Sequence, residues 1–175
     1  AVPLRQLHGL ALMPGDIGDA RLNNYFLENI YQFFFGESES LWQPGFFYPF
    51  PYVLGFSDNH FGSAPIYILA RLFVAQPDTA FQLWFLFGYV VNFAAAYYAL
   101  RLLGGSPLAA SAGALIFAFA LPTTAHAGHA QLHYRIGVPF AMAFFTLFLE
   151  QKKYRLLAIS GAWLVWQFYA GIYMG

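Results

Sequence analysis

The 175-residue chain contains no cysteine, so neither a disulfide framework nor thiolate chemistry is open to it, and the redox compartment goes unread. Charge is scarce too: Asp, Glu, Lys and Arg make up 9% of the residues, against roughly a quarter in an ordinary soluble domain. With 59% hydrophobic and 21% aromatic residues beside so little charge, the composition excludes that class and predicts a membrane protein. Acids are nearly missing from the second part of the chain, where Glu150 stands against Arg101, Arg135, Lys152, Lys153 and Arg155. Residues 1–79 reverse the balance, with Asp16, Asp19, Glu28, Glu37, Glu39, Asp58 and Asp78 against Arg5, Arg21 and Arg71. A net charge of zero therefore hides an acidic front and a basic back. The chain opens on Ala1 and stops at Gly175 inside an apolar run, and it reads as the N-terminal-half fragment of a longer protein.

Four apolar runs follow residue 79. The first, about 80–103, meets the roughly 20 residues needed to cross a bilayer. Gly104, Gly105, Ser106 and Pro107 break it, and a second run continues over about 107–124, close enough to be an antiparallel neighbour. A third covers about 134–149 and a fourth about 156–175. The middle two are short for a span, which predicts either extension by the 123–134 stretch or a thinned or protein-lined setting. Arg101, Lys152, Lys153 and Arg155 fall on one side of this arrangement, and the positive-inside rule makes that side cytoplasmic. Residues 1–79 and the polar 123–135 stretch then share the external face. The expected fold is all-α, a polytopic transmembrane helix bundle of four segments, with residues 1–79 as a long external loop.

That loop carries structure of its own. Leu22, Phe26, Ile30 and Phe33 recur at three- and four-residue intervals and predict an amphipathic helix. A second is predicted from Ser63 as cap, with Pro65 in its first turn and Ile66, Leu69 and Phe73 on one face. Between them residues 42–52 hold Pro44, Pro49 and Pro51 among aromatics, too much proline for a helix and too many aromatics for a flexible linker. They read as an ordered loop at the membrane interface.

Two clusters carry chemistry. In Gly15-Asp16-Ile17-Gly18-Asp19-Ala20-Arg21 the two acids are three residues apart, one side of a helical turn, and the glycines let backbone approach a ligand. Such a pair can bind a divalent cation, act as general base or hold a cationic donor; equally, Asp19 can simply cap the helix that follows. His126, His129 and His133 form one stripe if residues 124–135 are helical, suited to metal ligation, proton transfer or donation to phosphate. Their plainer role is hydrogen bonding at a helix end. Arg135 beside them offers a fork to phosphate or carboxylate, or merely anchors the third span. Asp58-Asn59-His60 either reaches the same site or supplies turn chemistry before the second amphipathic helix. Asn92 and Gln167, polar groups inside spans, are expected to bond a neighbouring helix.

Taken together, an acidic motif in a long external loop, two interfacial helices flanking an aromatic-proline loop, a pair of spans with a short connection and a second polar external motif resemble the glycosyltransferase C superfamily. These are integral membrane enzymes that use lipid-phosphate-linked sugars. The 15–22 motif, Phe47-Tyr48-Pro49 and Gly128-His129-Ala130-Gln131 are similar to those of a bacterial branch of multi-spanning proteins assigned there. The resemblance implies transfer of a sugar from polyprenyl phosphate to an acceptor glycan, lipid or protein at the external face of a bacterial inner membrane, periplasmic or extracellular, as part of the cell envelope. It implies that Asp16 or Asp19 is the catalytic acid of the first loop, with Asp16 favoured. Arg21, Asp58, His60, His126, His129, His133 and Arg135 are then substrate-binding candidates. The cofactor stays unknown; a divalent metal is possible, held if at all by Asp16, Asp19, His126 and His129, although histidines where related enzymes carry acids count against a magnesium or manganese site. No nucleic-acid partner is expected. Two other classes fit the same residues: a transporter or flippase of a lipid-linked or anionic solute, which calls for ionisable groups deep in the spans, and a noncatalytic membrane scaffold, in which both motifs are dispensable.

Overall fold

A computed structural model describes residues 13–14, 18–120 and 129–172. All regular structure among them is helical, in six α-helices: α1 Asp19–Phe34, α2 Ala64–Phe73, α3 Pro77–Leu102, α4 Pro107–Phe119, α5 Gly137–Gln151 and α6 Tyr154–Ala170. Short 3-10 turns occupy Val53–Phe56 and Ala130–Leu132. Two stretches, Pro77–Leu102 and Ala130–Gln151, are long and apolar enough to cross a membrane. The second is not one regular helix, because residues 133–136 interrupt it before α5 begins.

The helices pack as two hairpins joined across α3 and α5. Gly104, at φ +86°, turns the chain after α3, and the Gly105 N–H closes onto the Leu100 carbonyl. Ser106 then caps α4, its hydroxyl accepting from the Ala109 N–H, with Pro107 in the first turn. Small residues let the two helices approach closely: Ala95, Ala96 and Ala99 are buried on α3, and Ala110, Ala114 and Ala118 on α4. Lys152, at φ +54°, makes the turn between α5 and α6, and within the hairpin the Ser160 hydroxyl donates to the Ala141 carbonyl.

The connection into α5 runs deep against the bundle. Tyr134 donates its hydroxyl to the Trp84 carbonyl and His133 donates Nε2–H to the Phe85 carbonyl, about 10–12 Å along α3 from Pro77. Backbone so far from water needs partners, and two buried amides provide them. Asn92 donates to the His133 carbonyl and accepts from the Arg135 N–H, while Gln167 donates to the Tyr134 carbonyl and accepts from the Gly137 N–H. Asn92 therefore bonds main chain of the loop, and Gln167 bonds both the loop and the first residue of the neighbouring helix α5. Gly88 lies directly beneath the His133 ring, and any Cβ there would meet it.

The two predicted amphipathic helices form. On α1 the stripe divides: Phe26 and Ile30 are buried, with Ala20, Asn23 and Leu27, whereas Leu22 and Phe33 are exposed. On α2 Leu69 and Phe73 are exposed, and Tyr67 is fully buried. Glu28 causes this, because its carboxylate accepts from the Tyr67 hydroxyl at 2.7 Å and from the Arg71 guanidinium at 2.8 and 3.1 Å. Asn24 bridges the Tyr67 hydroxyl and Asp78 at the start of α3. Ser63 stands at the N-cap of α2 but donates to the His60 carbonyl rather than capping.

Candidate functional site

Four segments distant in sequence meet at one end of the bundle: the start of α1, the turn at residues 58–62, residues 129–131 and the end of α6. Close backbone contacts lock the last three together. The Gly62 N–H donates to the Tyr169 carbonyl at 2.7 Å, and the Ile172 N–H to Asp58 Oδ1 at 3.1 Å. A Cβ on Gly62 would collide with Ala170, and one on Gly171 with the Gln131 carbonyl, so glycine is required at both positions. The basic Arg101, Lys152, Lys153 and Arg155 lie on the other side, at the α3–α4 and α5–α6 turns.

At this junction Asp19 Oδ2 sits 2.9 Å from His129 Nδ1, with about half of each side chain exposed. Gly18 is the N-cap residue of α1, so Asp19 occupies the first turn and its carboxylate reaches across 110 positions to the histidine. A carboxylate on Nδ1 holds the proton there and puts the acceptor lone pair of the neutral ring on Nε2. One turn on, Asn23 braces the pair: its amide donates to the Asp19 carbonyl at 2.7 Å and to Gln131 Oε1 at 3.0 Å, and its Oδ1 accepts from His60 Nε2.

His60 is buried beneath Asn23, edge-on to Trp84 with ring centroids 5.7 Å apart, and its backbone is left-handed at φ +56°. Burial pushes its pKa down to about 3, which keeps the imidazole neutral. Asp58 is buried as well; loss of water raises its carboxyl above the usual range, the Ile172 N–H opposes that, and the Asp19 charge adds to it. Asn59 supplies the turn chemistry, its side chain accepting from the Phe61 N–H. Asn59 thus shapes the turn, no side chain here caps α2, and His60 reaches Asn23, one turn along α1 from Asp19.

The remaining candidates divide. Asp16 and His126 lie outside the described residues. His129 and His133 do not share a stripe, because among the described residues of this stretch the helical turn covers 130–132 alone; His133 is buried against α3, stacked on Phe85 at 4.3 Å. Arg135 donates from Nη2 to the Phe117 carbonyl and lies over the Phe117 ring, against α4 and away from Asp19. Arg21, two residues past Asp19, faces the other side of α1, where it lines a polar cavity of about 360 Å³ with Asn24, Tyr25, Glu28 and Asp78. Asn23 and Gln131 were not singled out from sequence; the available signal was that Asn23 follows Asp19 by four residues and so shares its helical face.

Among the described residues no three His, Asp or Glu side chains converge as a metal would require. Of the four candidate metal ligands only Asp19 and His129 lie among the described residues, and there they bond each other. An apolar groove of about 360 Å³ runs between α2 and α3, walled by Ile66, Leu69, Phe73, Leu83, Phe87 and Val90. Comparison with known proteins adds no relative: no protein-family model, curated protein or solved structure matches the chain.

Proposed function

We propose that the chain is part of an integral membrane glycosyltransferase, which moves a sugar from a polyprenyl-phosphate carrier to an acceptor at the external face of the membrane. In this reading α3 to α6 are four spans of a polytopic bundle. Their outward surfaces support it: Val90, Leu108, Ile116, Met142 and Val165 are all exposed, an apolar surface on every helix that water would penalise. The non-helical 133–136 segment fits as well, since irregular backbone at membrane depth is tolerated only where protein satisfies it, as Asn92 and Gln167 do here.

The observation that carries the chemistry is the Asp19–His129 pair, set where the external segments converge. Asp19 holds the imidazole in its Nδ1–H form. His129 Nε2 takes the proton from the acceptor hydroxyl as its oxygen bonds to the anomeric carbon, and the bond from that carbon to the phosphate oxygen breaks, releasing polyprenyl phosphate. Asp16, three residues before Asp19, remains a candidate for orienting the acceptor. The apolar groove beside α2 suits the carrier's hydrocarbon chain. A transport path would need polar side chains available along the spans, but Asn92, Gln167 and His133 are committed to backbone groups, which favours the enzyme.

The test uses the protein reconstituted in vesicles with a panel of polyprenyl-phosphate hexoses, pentoses and N-acetylhexosamines, following release of polyprenyl phosphate. Asp19→Asn and His129→Gln should each lower turnover by about 10²–10⁴-fold while the helical content holds. Undiminished turnover in both would sink the assignment.

A further inference from the structure

The segment between α1 and α2 presents an inverted surface. Residues 41–57 contain no charged side chain in seventeen positions, yet Phe47, Tyr48, Phe50, Tyr52 and Phe56 are all exposed, Tyr48 to 92%. The loop is not loose. Val53 and Leu54 are buried at its base, the Leu54 N–H donates to the Trp42 carbonyl, and Trp42 meets Phe61 edge-on at 5.8 Å. Phe46 packs against Phe26 of α1 at 5.2 Å. At the tip the Phe50 N–H closes onto the Phe47 carbonyl, with Phe47 and Tyr52 held at positive φ. A firmly seated base thus carries a tip made almost wholly of aromatic rings and prolines.

The neighbouring helix shows the same inversion. The only charge on α2, Arg71, is turned inward onto Glu28 with side-chain exposures of 11% and 14%, while Leu69, Leu72 and Phe73 face out, Phe73 to 81%. Water would reward the opposite arrangement, since a desolvated ion pair and an exposed apolar face are each unfavourable in it. A lipid surface rewards this one. That outward face is continuous through Leu69 and Phe73 with Leu83, Phe87 and Val90 of α3, the longest apolar helix described. Tyrosine hydroxyls at 48 and 52 among phenylalanines also match the amphipathic side chains that settle at the headgroup level.

We propose that residues 47–56 form an aromatic anchor that inserts into the interfacial layer of a lipid bilayer. Insertion of this tip sets how far α1, and with it Asp19, stands from the membrane surface. The proposal does not depend on the transferase reading.

The absence of cysteine in these residues makes a direct test simple. Single variants Tyr48→Cys, Phe50→Cys and, as reference, Glu37→Cys are introduced into the protein, spin-labelled and reconstituted in phosphatidylcholine–phosphatidylglycerol vesicles. Collision rates are then read with oxygen, which concentrates in lipid, and with a water-soluble nickel chelate. Positions 48 and 50 should favour oxygen over nickel by at least several-fold relative to position 37. Equal nickel access at all three positions would overturn the proposal by showing the tip in water. Labels at 48 and 50 shielded from both reagents would overturn it too, by showing that protein covers the tip.

Discussion

Replacing Gly88 with alanine offers the sharpest check on the packing that places the 129–136 segment. In an open helix interior the change is favourable, because glycine costs about 1 kcal/mol relative to alanine. Here the added methyl would fall within 3.0 Å of the His133 ring. That ring has nowhere to go: it stacks on Phe85, meets Tyr89 edge-on at 4.7 Å, donates to the Phe85 carbonyl at 2.6 Å, and its own backbone carbonyl is held by Asn92. Clearing the methyl means swinging the ring, which costs about 1–3 kcal/mol for a buried hydrogen bond broken and left unsatisfied. Overpacking adds about 1–3 kcal/mol. Set against the helical gain of about 1 kcal/mol, the net is a destabilisation of about 1–5 kcal/mol. Gly161 in α6 provides the control, because a Cβ there meets nothing within 4 Å; Gly161→Ala should be neutral or stabilise by up to about 1 kcal/mol. Both variants are compared with the parent by reversible unfolding in mixed micelles titrated with SDS. A Gly88→Ala protein as stable as the parent would refute the close approach of His133 to α3.

Three further outcomes follow from named contacts. Glu28→Leu leaves the Arg71 charge without its carboxylate and removes the nearest acceptor of the Tyr67 hydroxyl, so it should cost about 3–5 kcal/mol, most of it restored in Glu28→Leu/Arg71→Met, where no charge remains to be desolvated; a double variant as unstable as the single one would contradict a buried pair. Gln167→Leu leaves the Tyr134 carbonyl and the Gly137 N–H without partners and should cost about 2–6 kcal/mol in the same SDS titration, whereas Gln151→Leu on the exposed end of α5 should stay within about 0.5 kcal/mol. His60 is depressed to about 3 when folded but titrates at 6.5 in the unfolded chain, so the unfolded state takes up the proton first and stability falls as pH drops from 6.5 towards 3, by up to about 1.4 kcal/mol per unit. His60→Asn, which tolerates the left-handed backbone, should flatten that slope; Asp58 is untouched and common to both proteins, so identical slopes would show that His60 is not buried neutral.

Much of the helical order was legible because it rests on local chemistry. Gly104, Ser106 and Pro107 marked the end of α3 and the start of α4, and each acts there as its type predicts. The periodic runs after residues 19 and 63 located α1 and α2. What local reasoning missed was the 129–136 segment. Three histidines at helical spacing suggested one stripe, yet His129 stays in the open with Asp19 while His133 drives into α3. The signals that separate them lie elsewhere in the chain: Gly88 leaves the space, and Asn92 and Gln167 carry the amides that the loop's backbone needs. Each was visible as an oddity within an apolar run; only tertiary structure pairs it with its partner. The candidate site divides in the same way. Asp19 stood out with Asp16 as a pair of acids, but the brace through Asn23 joins it to residues 60 and 131, a relation that no spacing encodes.

On α2 the spacing left a different question open. Ile66, Leu69 and Phe73 make one face, as their spacing requires, and spacing alone does not say whether that face turns in or out. Periodicity identifies a face without saying which medium it meets. What sets the orientation is Glu28, 39 residues before Tyr67 and 43 before Arg71, whose carboxylate draws both inward and so turns the apolar side out. A charged pair inside and aromatics outside is the less stable choice for a helix in water and the more stable one for a helix on lipid. The direction in which Phe73 points is therefore evidence about the surroundings of the protein that hydropathy alone did not contain.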